Sequence, residues 1–137
     1  MQLVRMIYAS RPTKNYQGDA DGIAAKATAK NEEAGITGIL IHDDVFFLQW
    51  IEGPRGAINR LYKALMGDDR HTDLEILDYR AIHVRHFPQW DMACIGLKDI
   101  EKSIFLRFIY DAGFDPYKLG GDGAVEFLKE VGAKYCS

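Results

Sequence analysis

The sequence has little cysteine and no long apolar run. Only Cys94 and Cys136 are present in 137 residues, one in an apolar, strand-like segment and the other next to the last residue. Such a pair is typical of free thiols in a reducing compartment rather than of a disulfide framework. No stretch approaches the length of a membrane span, and the first residues lack the basic region and cleavage site of a secretory signal. We therefore expect a cytoplasmic chain without a membrane partner.

The chain also lacks an excess of basic charge and the common motifs of phosphate binding. Seventeen Lys and Arg residues stand against twenty Asp and Glu residues, for a net charge of -3, which disfavours nucleic acid as a partner. Neither a P-loop nor a GxGxxG pattern occurs. His83 and His86 would lie on opposite faces of a strand, so we expect no metal site there. A protein or a small molecule is the expected partner.

The length and the periodicity predict a single unit with an α+β fold. Apolar positions alternate or recur at helical spacing in the order βαββαββ, followed by two terminal helices. The predicted strands are residues 2–8, 37–42, 45–52, 74–84 and 92–97, and the predicted helices are 19–34, 54–66, 98–112 and 124–135. This order predicts a ferredoxin-like sheet with two helices on one face and two C-terminal helices covering the other.

Two polar residues stand where this pattern calls for apolar ones. Asn31 falls on the apolar stripe of the first helix, between Ala27 and Ala34, and Gln49 lies in the middle of a strand that is apolar on both faces. A buried amide without partners costs roughly 1 to 3 kcal/mol. Two such amides converging on one cleft indicate a bound group that accepts and donates hydrogen bonds.

In a ferredoxin-like arrangement, the cleft between the first two helices also receives Tyr8 from the first strand. The cleft thus offers a phenol, two carboxamides, a thioether, an indole and an aliphatic wall, and it contains no strong nucleophile and no general base near neutral pH. We therefore do not expect an enzyme. The other side chains of this set are Ile23, Trp90 and Met92.

Taken singly, each of these residues has an ordinary structural explanation. Tyr8 fits a core aromatic, Asn31 fits the end of a helix before Gly35, and Gln49 fits a partly buried edge position. Arg70 and His71 fall in a predicted polar loop, where they would be solvated by default. Two other functions fit the same fold. An RNA-binding module would stack bases on the aromatics of the third strand, and an acylphosphatase-like enzyme would need an Arg-bearing glycine loop that is absent here.

The joint order and spacing of these residues resemble one family. IYAS surrounds Tyr8, Asn31 is followed four residues later by GITGILI, FLQWIEG surrounds Gln49, and DDRH and FPQWDM follow. Together these motifs resemble the BLUF family of blue-light sensors using FAD, over Leu3 to about Leu97. The resemblance implies a flavin-binding domain over residues 1–97 and a C-terminal helical extension over residues 98–137, packed on the sheet.

The resemblance also implies roles for individual residues. Tyr8 and Gln49 would contact the isoalloxazine ring of a noncovalently bound FAD, with FMN or riboflavin as alternatives, and Asn31 would bond the carbonyl and imide edge of the ring. Lys30 stands where some relatives carry a second Asn. The other flavin-binding positions that the resemblance implies are Ile23, Asp68, Arg70, His71 and Met92, with Asp68, Arg70 and His71 at the ribityl or phosphate end.

The family's photochemistry supplies the expected mechanism. Tyr8 would give an electron to the light-excited flavin, a proton would follow through Gln49, and recombination would leave the Gln49 amide reoriented or tautomerised. Trp90 or Met92 would pass the change to the terminal helices. The resemblance implies output in trans, to a protein such as a cyclic-dinucleotide phosphodiesterase or a transcriptional regulator, and we expect a homo-oligomer.

Overall fold

The computed structural model describes residues 2–16, 18, 30–88, 92–108 and 113–135, and it describes residues 92–94 by their backbone. The strands are β1 (Leu3–Pro12), β2 (Thr37–His42), β3 (Phe47–Pro54), β4 (His71–Ile82) and β5 (Met92–Gly96). The helices are α1 (30–34), α2 (Arg55–Met66), α3 (Lys102–Phe105) and α4 (Gly120–Tyr135). Short 3-10 turns cover Leu97–Asp99 and Pro116–Lys118. Residues 19–29 of the predicted first helix lie outside the described residues.

The five strands form one sheet in the order β4-β1-β3-β2-β5. The pairs β4·β1, β1·β3 and β3·β2 are antiparallel, and β5 adds to β2 in parallel. The first four strands have the order of a ferredoxin-like sheet, so the predicted fold class is confirmed. β3 is the central strand, and β1 lies between it and β4, so both are interior strands whose two faces need covering.

Each face of the sheet carries its own hydrophobic core, as the apolar character of both faces of the third strand predicts. The core on the side of α2 contains Val4, Met6, Tyr8, Ile36, Leu40, Ile51, Ala57 and Ile58. On the other side, Ile7, Ile39, Leu48 and Trp50 pack against Ile104 of α3 and against Ala124, Phe127 and Leu128 of α4. The two C-terminal helices therefore cover the second face.

Some element bounds differ from the predicted ones. β1 runs four residues past Tyr8, because Arg11 and Pro12 pair with the start of β4. The β2–β3 hairpin has four connecting residues instead of two, because the Asp43 carboxylate accepts hydrogen bonds from the amides of Val45 and Phe46, both at 2.7 Å. Both differences depend on hydrogen bonds that residue type alone does not specify.

The last helix starts at Gly120, four residues earlier than predicted. Gly121 lies so close to β4 that a Cβ atom there would come within 2.7 Å of the Leu77 carbonyl oxygen. Gly121 is thus the residue that lets the start of α4 approach β4. The predicted helix 98–112 is broken into a 3-10 turn and α3 in its described part.

Within the described ranges, no helix is long and apolar enough to cross a membrane. The same part of the chain contains no cluster of His, Cys, Asp or Glu side chains arranged to hold a metal ion.

Candidate functional site

Tyr8 and Gln49 face each other across neighbouring strands. They are direct partners in the antiparallel register of β1 and β3, and both are buried, with 3% and 9% of their surfaces exposed. The Tyr8 hydroxyl donates a hydrogen bond to Oε1 of Gln49. The Gln49 carboxamide accepts from Tyr8 with its oxygen, and its amino group can act only as a donor. Gln49 also pairs with Leu40 of β2, which supplies an apolar side chain on the same face.

The environment of Tyr8 keeps its phenol protonated. Burial raises the pKa of Tyr8 far above its usual value of about 10, and the negative charge of Asp68 raises it further. At neutral pH the hydroxyl is therefore a hydrogen-bond donor and not a phenolate.

Asn31 is buried at the end of α1, with 4% of its surface exposed. Its carbonyl oxygen accepts a hydrogen bond of 2.7 Å from the Ile36 amide, and Gly35 makes the turn between them with a φ of +77°. These backbone interactions do not involve the side-chain carboxamide. Asn31 thus points inward as predicted, while Lys30 beside it is exposed.

Asp68 and Arg70 form an ion pair at the rim of this region. The Arg70 guanidinium donates to the Asp68 carboxylate at 2.5 to 3.1 Å. The hydrogen bonds from Arg70 lower the pKa of Asp68 to about 2, so Asp68 is ionised at neutral pH. Its charge is close enough to Tyr8 to act on the phenol.

His71 links two elements through both of its ring nitrogens. Nε2 lies 2.7 Å from the Leu65 carbonyl oxygen at the end of α2, and Nδ1 lies 2.9 Å from the Ser10 hydroxyl. A carbonyl only accepts, so Nε2 carries the proton and Nδ1 accepts from Ser10. The loop position that the sequence predicts for His71 is wrong, because His71 is the first residue of β4.

The remaining predicted site residues are described only in part. Ile23 and Trp90 lie outside the described residues, and Met92 is described by its backbone, which pairs with Gly38 of β2.

Sequence reasoning missed two buried residues near the site. Ser10 is fully buried on the same face as Tyr8, and Glu52 is fully buried on the opposite face of β3. The period of two would have found Ser10 if the first strand had been predicted to continue beyond Tyr8. For Glu52 the only signal was an acidic residue on an apolar face.

The donors and acceptors of the described site fit the polar edge of a flavin ring. That edge alternates carbonyl oxygens with an imide N–H, and a carboxamide offers both complements. Asn31 has a buried carboxamide, and Gln49 has one whose acceptor end is already used by Tyr8. These residues fit the edge in chemical type.

The face of the sheet that carries Trp50 does not fit base stacking. Trp50 is completely buried and packs edge-on against Phe87 at 5.0 Å. Because the C-terminal helices cover this face, Trp50 offers no platform for RNA bases.

Comparisons with known proteins find one matching family. The family model described as "BLUF: Sensors of blue-light using FAD" matches residues 3–93. The chain is 33% identical over 92 residues to the photoactivated adenylate cyclase subunit beta of Euglena gracilis, covering 66% of this chain and 11% of that protein. It is 28% identical to the blue light- and temperature-regulated antirepressor BluF of Escherichia coli strain K12, covering 75% of this chain and 26% of that protein.

Among solved structures, the fold is similar to that of BlsA in its photo-activated state. The TM-score is 0.83 at 27% identity, and the match covers 93% of both chains.

Proposed function

The chain belongs to the BLUF family of flavin-dependent blue-light sensors, and on this premise we propose that it binds FAD noncovalently and signals through the Tyr8–Gln49 pair. The buried hydrogen bond between these two residues is the observation that carries the proposal. The residues matched by the family are a photosensory unit and not a catalytic one.

The proposed mechanism uses the two ends of the Gln49 carboxamide. A bound flavin supplies the absorption of blue light and the electron acceptor. Tyr8 would supply an electron and its proton would move through Gln49 along the hydrogen bond between them, and both would return to Tyr8 on recombination, so that no net oxidation remains. Rotation or tautomerisation of the amide then exchanges a donor for an acceptor without moving net charge. The bonding between Gln49 and its neighbours changes, while the fold keeps both residues in place.

The absorption spectrum of the purified protein tests this function. Blue light should shift the flavin absorption reversibly to longer wavelength, because hydrogen bonding to the ring edge changes. An unchanged spectrum in a protein that carries flavin would rule the proposal out. Release of the pigment by denaturation and its chromatography against FAD, FMN and riboflavin identify the cofactor.

Asn31 provides a second test, because its buried carboxamide is proposed to bond the flavin edge. Asn31→Ala should weaken flavin binding by about tenfold, the loss expected for one or two hydrogen bonds. The dissociation constant is measured by titrating apoprotein with FAD. The control is Glu33→Ala on an exposed position of the same helix, which should bind as the wild type does. Equal affinity of the Asn31 variant would leave Asn31 with only the helix-end role of its backbone.

We also propose that two parts of the chain have different roles. Residues 1–97 would form the flavin-binding unit and residues 98–137 the helical extension that reads its state. The end of the family match at residue 93 and the packing of α3 and α4 on the Trp50 face support this division. Asp68, Arg70 and His71 are proposed to border the ribityl or phosphate end, with Ile23, Lys30 and Met92 lining the ring and Trp90 or Met92 next to Gln49.

Output is proposed to occur in trans, through a protein partner. One similar protein is named an adenylate cyclase and another an antirepressor, so BLUF units serve effectors of different kinds. A cyclic-dinucleotide phosphodiesterase or a transcriptional regulator is the proposed partner class. A homo-oligomer stays a prediction.

A further inference from the structure

Glu52 is a fully buried carboxylate that joins β3 to the connection between β4 and β5. Its Oε1 atom accepts from Trp50 Nε1 at 2.9 Å and from the Phe87 amide at 2.8 Å. The His86 amide donates to Oε2 at 2.8 Å and to Oε1 at 3.1 Å. One side chain of β3 therefore holds two backbone amides more than thirty residues away in sequence.

A second set of hydrogen bonds attaches the same connection to the sheet. Arg85 donates to the Glu52 carbonyl oxygen at 3.1 Å, to the Thr37 hydroxyl at 2.9 Å and to the Gly35 carbonyl oxygen at 2.6 Å. Because Gly35 closes the turn after Asn31, these bonds also reach the end of α1. We call residues 83–88 the clamped segment, since the His86 and Phe87 amides are bound to the Glu52 side chain and Arg85 is bound to the Glu52 backbone, to Thr37 of β2 and to Gly35.

The clamped segment contacts the C-terminal helix through one aromatic ring. Phe87 is buried and belongs to the same core as α4. A Cβ atom at Gly132 of α4 would lie only 2.3 Å from Cε1 and 2.7 Å from Cζ of Phe87. The ring thus occupies the space that any larger residue at position 132 would need. Because the ring packs directly against the backbone of α4, a displacement of the ring would displace the helix.

The other end of this chain of contacts is the photoactive pair. Gln49 and Trp50 are consecutive residues on opposite faces of β3, so a change in the backbone at Gln49 moves Trp50. The Trp50 indole is hydrogen-bonded to Glu52 and stacks edge-on against Phe87 at 5.0 Å.

We propose that Glu52 is a positioning residue that couples the state of Gln49 to α4, by making β3 and the clamped segment move as one body against Gly132. This inference rests on the proposed function, because it assigns the route by which the same site is read. Glu52 itself does not take part in the photochemistry, since it lies on the face of the sheet opposite Tyr8 and Gln49.

Glu52→Gln tests the coupling. A carboxamide keeps one acceptor oxygen, but its amino group would face a backbone N–H where Oε2 now accepts. Flavin absorption and hydrogen–deuterium exchange are measured on the full holoprotein in the dark and in the light. We expect a normal spectral shift, but the light-minus-dark difference in exchange over residues 120–135 should shrink by at least about twofold.

Two controls separate coupling from folding. Glu75→Gln, at an exposed position of β4, should keep the full difference. A merely structural role for Glu52 would raise exchange equally in the dark and in the light, leaving the difference unchanged, and this result would overturn the proposal. A lost spectral shift in Glu52→Gln would also overturn it, because Glu52 would then act on the photochemistry itself.

Phe87→Leu is the second variant, and it tests the coupling between Gln49 and α4 if Glu52→Gln does not fold. It leaves the Glu52 hydrogen bonds to the backbone intact and removes the ring from Gly132, so the exchange difference at α4 should fall while the spectral shift stays. A full light-minus-dark difference in exchange in this variant would contradict the route through Phe87.

In the wild type, a spectral shift without any change in exchange at α4 refutes the coupling alone, whereas the absence of a spectral shift refutes the proposed function.

Discussion

Tyr8→Phe should abolish the light-induced shift of the flavin absorption while flavin stays bound. The substitution removes the only oxygen of the side chain and keeps its ring, so the packing of the core around Val4 and Met6 is preserved. Gln49 loses the donor to its Oε1 atom, and the electron and proton source of the proposed mechanism is gone. Difference spectra before and after blue light measure the effect, and we expect no shift at all. The unfolding free energy should fall by only about 1 kcal/mol, the net value of one hydrogen bond.

Tyr79→Phe is the matched control for this experiment. Tyr79 lies on β4, is 38% exposed and donates to the Asn59 side chain at 3.0 Å, away from Gln49. Its variant should show the shift of the wild type. If Tyr8→Phe kept the shift, the role of Tyr8 would be refuted even in a protein that senses light, and Tyr8 would be a core aromatic only.

Gly38→Ala should be the most destabilising of these single substitutions. A Cβ atom at position 38 would lie 1.9 Å from the carbonyl oxygen of Trp50 and 3.1 Å from the Cα atom of Ile51. Backbone atoms of a central strand cannot rotate away as a side chain can, so β2 and β3 would have to separate. Overpacking of this kind costs about 3 kcal/mol or more. Urea unfolding at equilibrium measures the loss, and flavin retention should fall with it because Gln49 lies on the displaced strand.

Gly67→Ala is the matched control, because it adds the same methyl group where there is room. The new Cβ atom would meet only the Ala64 carbonyl oxygen, at 3.7 Å, and the φ of -91° suits alanine. Its unfolding free energy should stay within about 0.5 kcal/mol of the wild type. Similar stabilities for the two glycine variants would contradict the close packing of β2 against β3.

The fold class and the inward positions of the two carboxamides, Asn31 and Gln49, were predictable from the local sequence pattern. Side chains alternate along a strand, so the apolar character of both faces of the third strand required two covering layers, and the inward position of Gln49 followed from the same alternation. Helical spacing placed Asn31 inward, and Asn31 is buried, but Ala34 of the same predicted stripe is exposed. The positions along the strands were predictable because each depends on residues a few positions apart.

The element bounds were less predictable, because they depend on partners far away in sequence. β1 continues past Tyr8 only because β4 pairs with it, and His71 belongs to that pairing and not to a loop. Its bond to Ser10 joins residues 61 positions apart. No local propensity specifies such a contact.

By itself the sequence determined which residues face each side of the sheet, and its ordered motifs indicated the family. Only the tertiary structure decided that Tyr8 and Gln49 are direct cross-strand partners and that Glu52 holds the clamped segment against α4. The physical reason is that a face is a property of the local backbone period, whereas strand register and buried hydrogen bonds are decided by the packing of the whole chain.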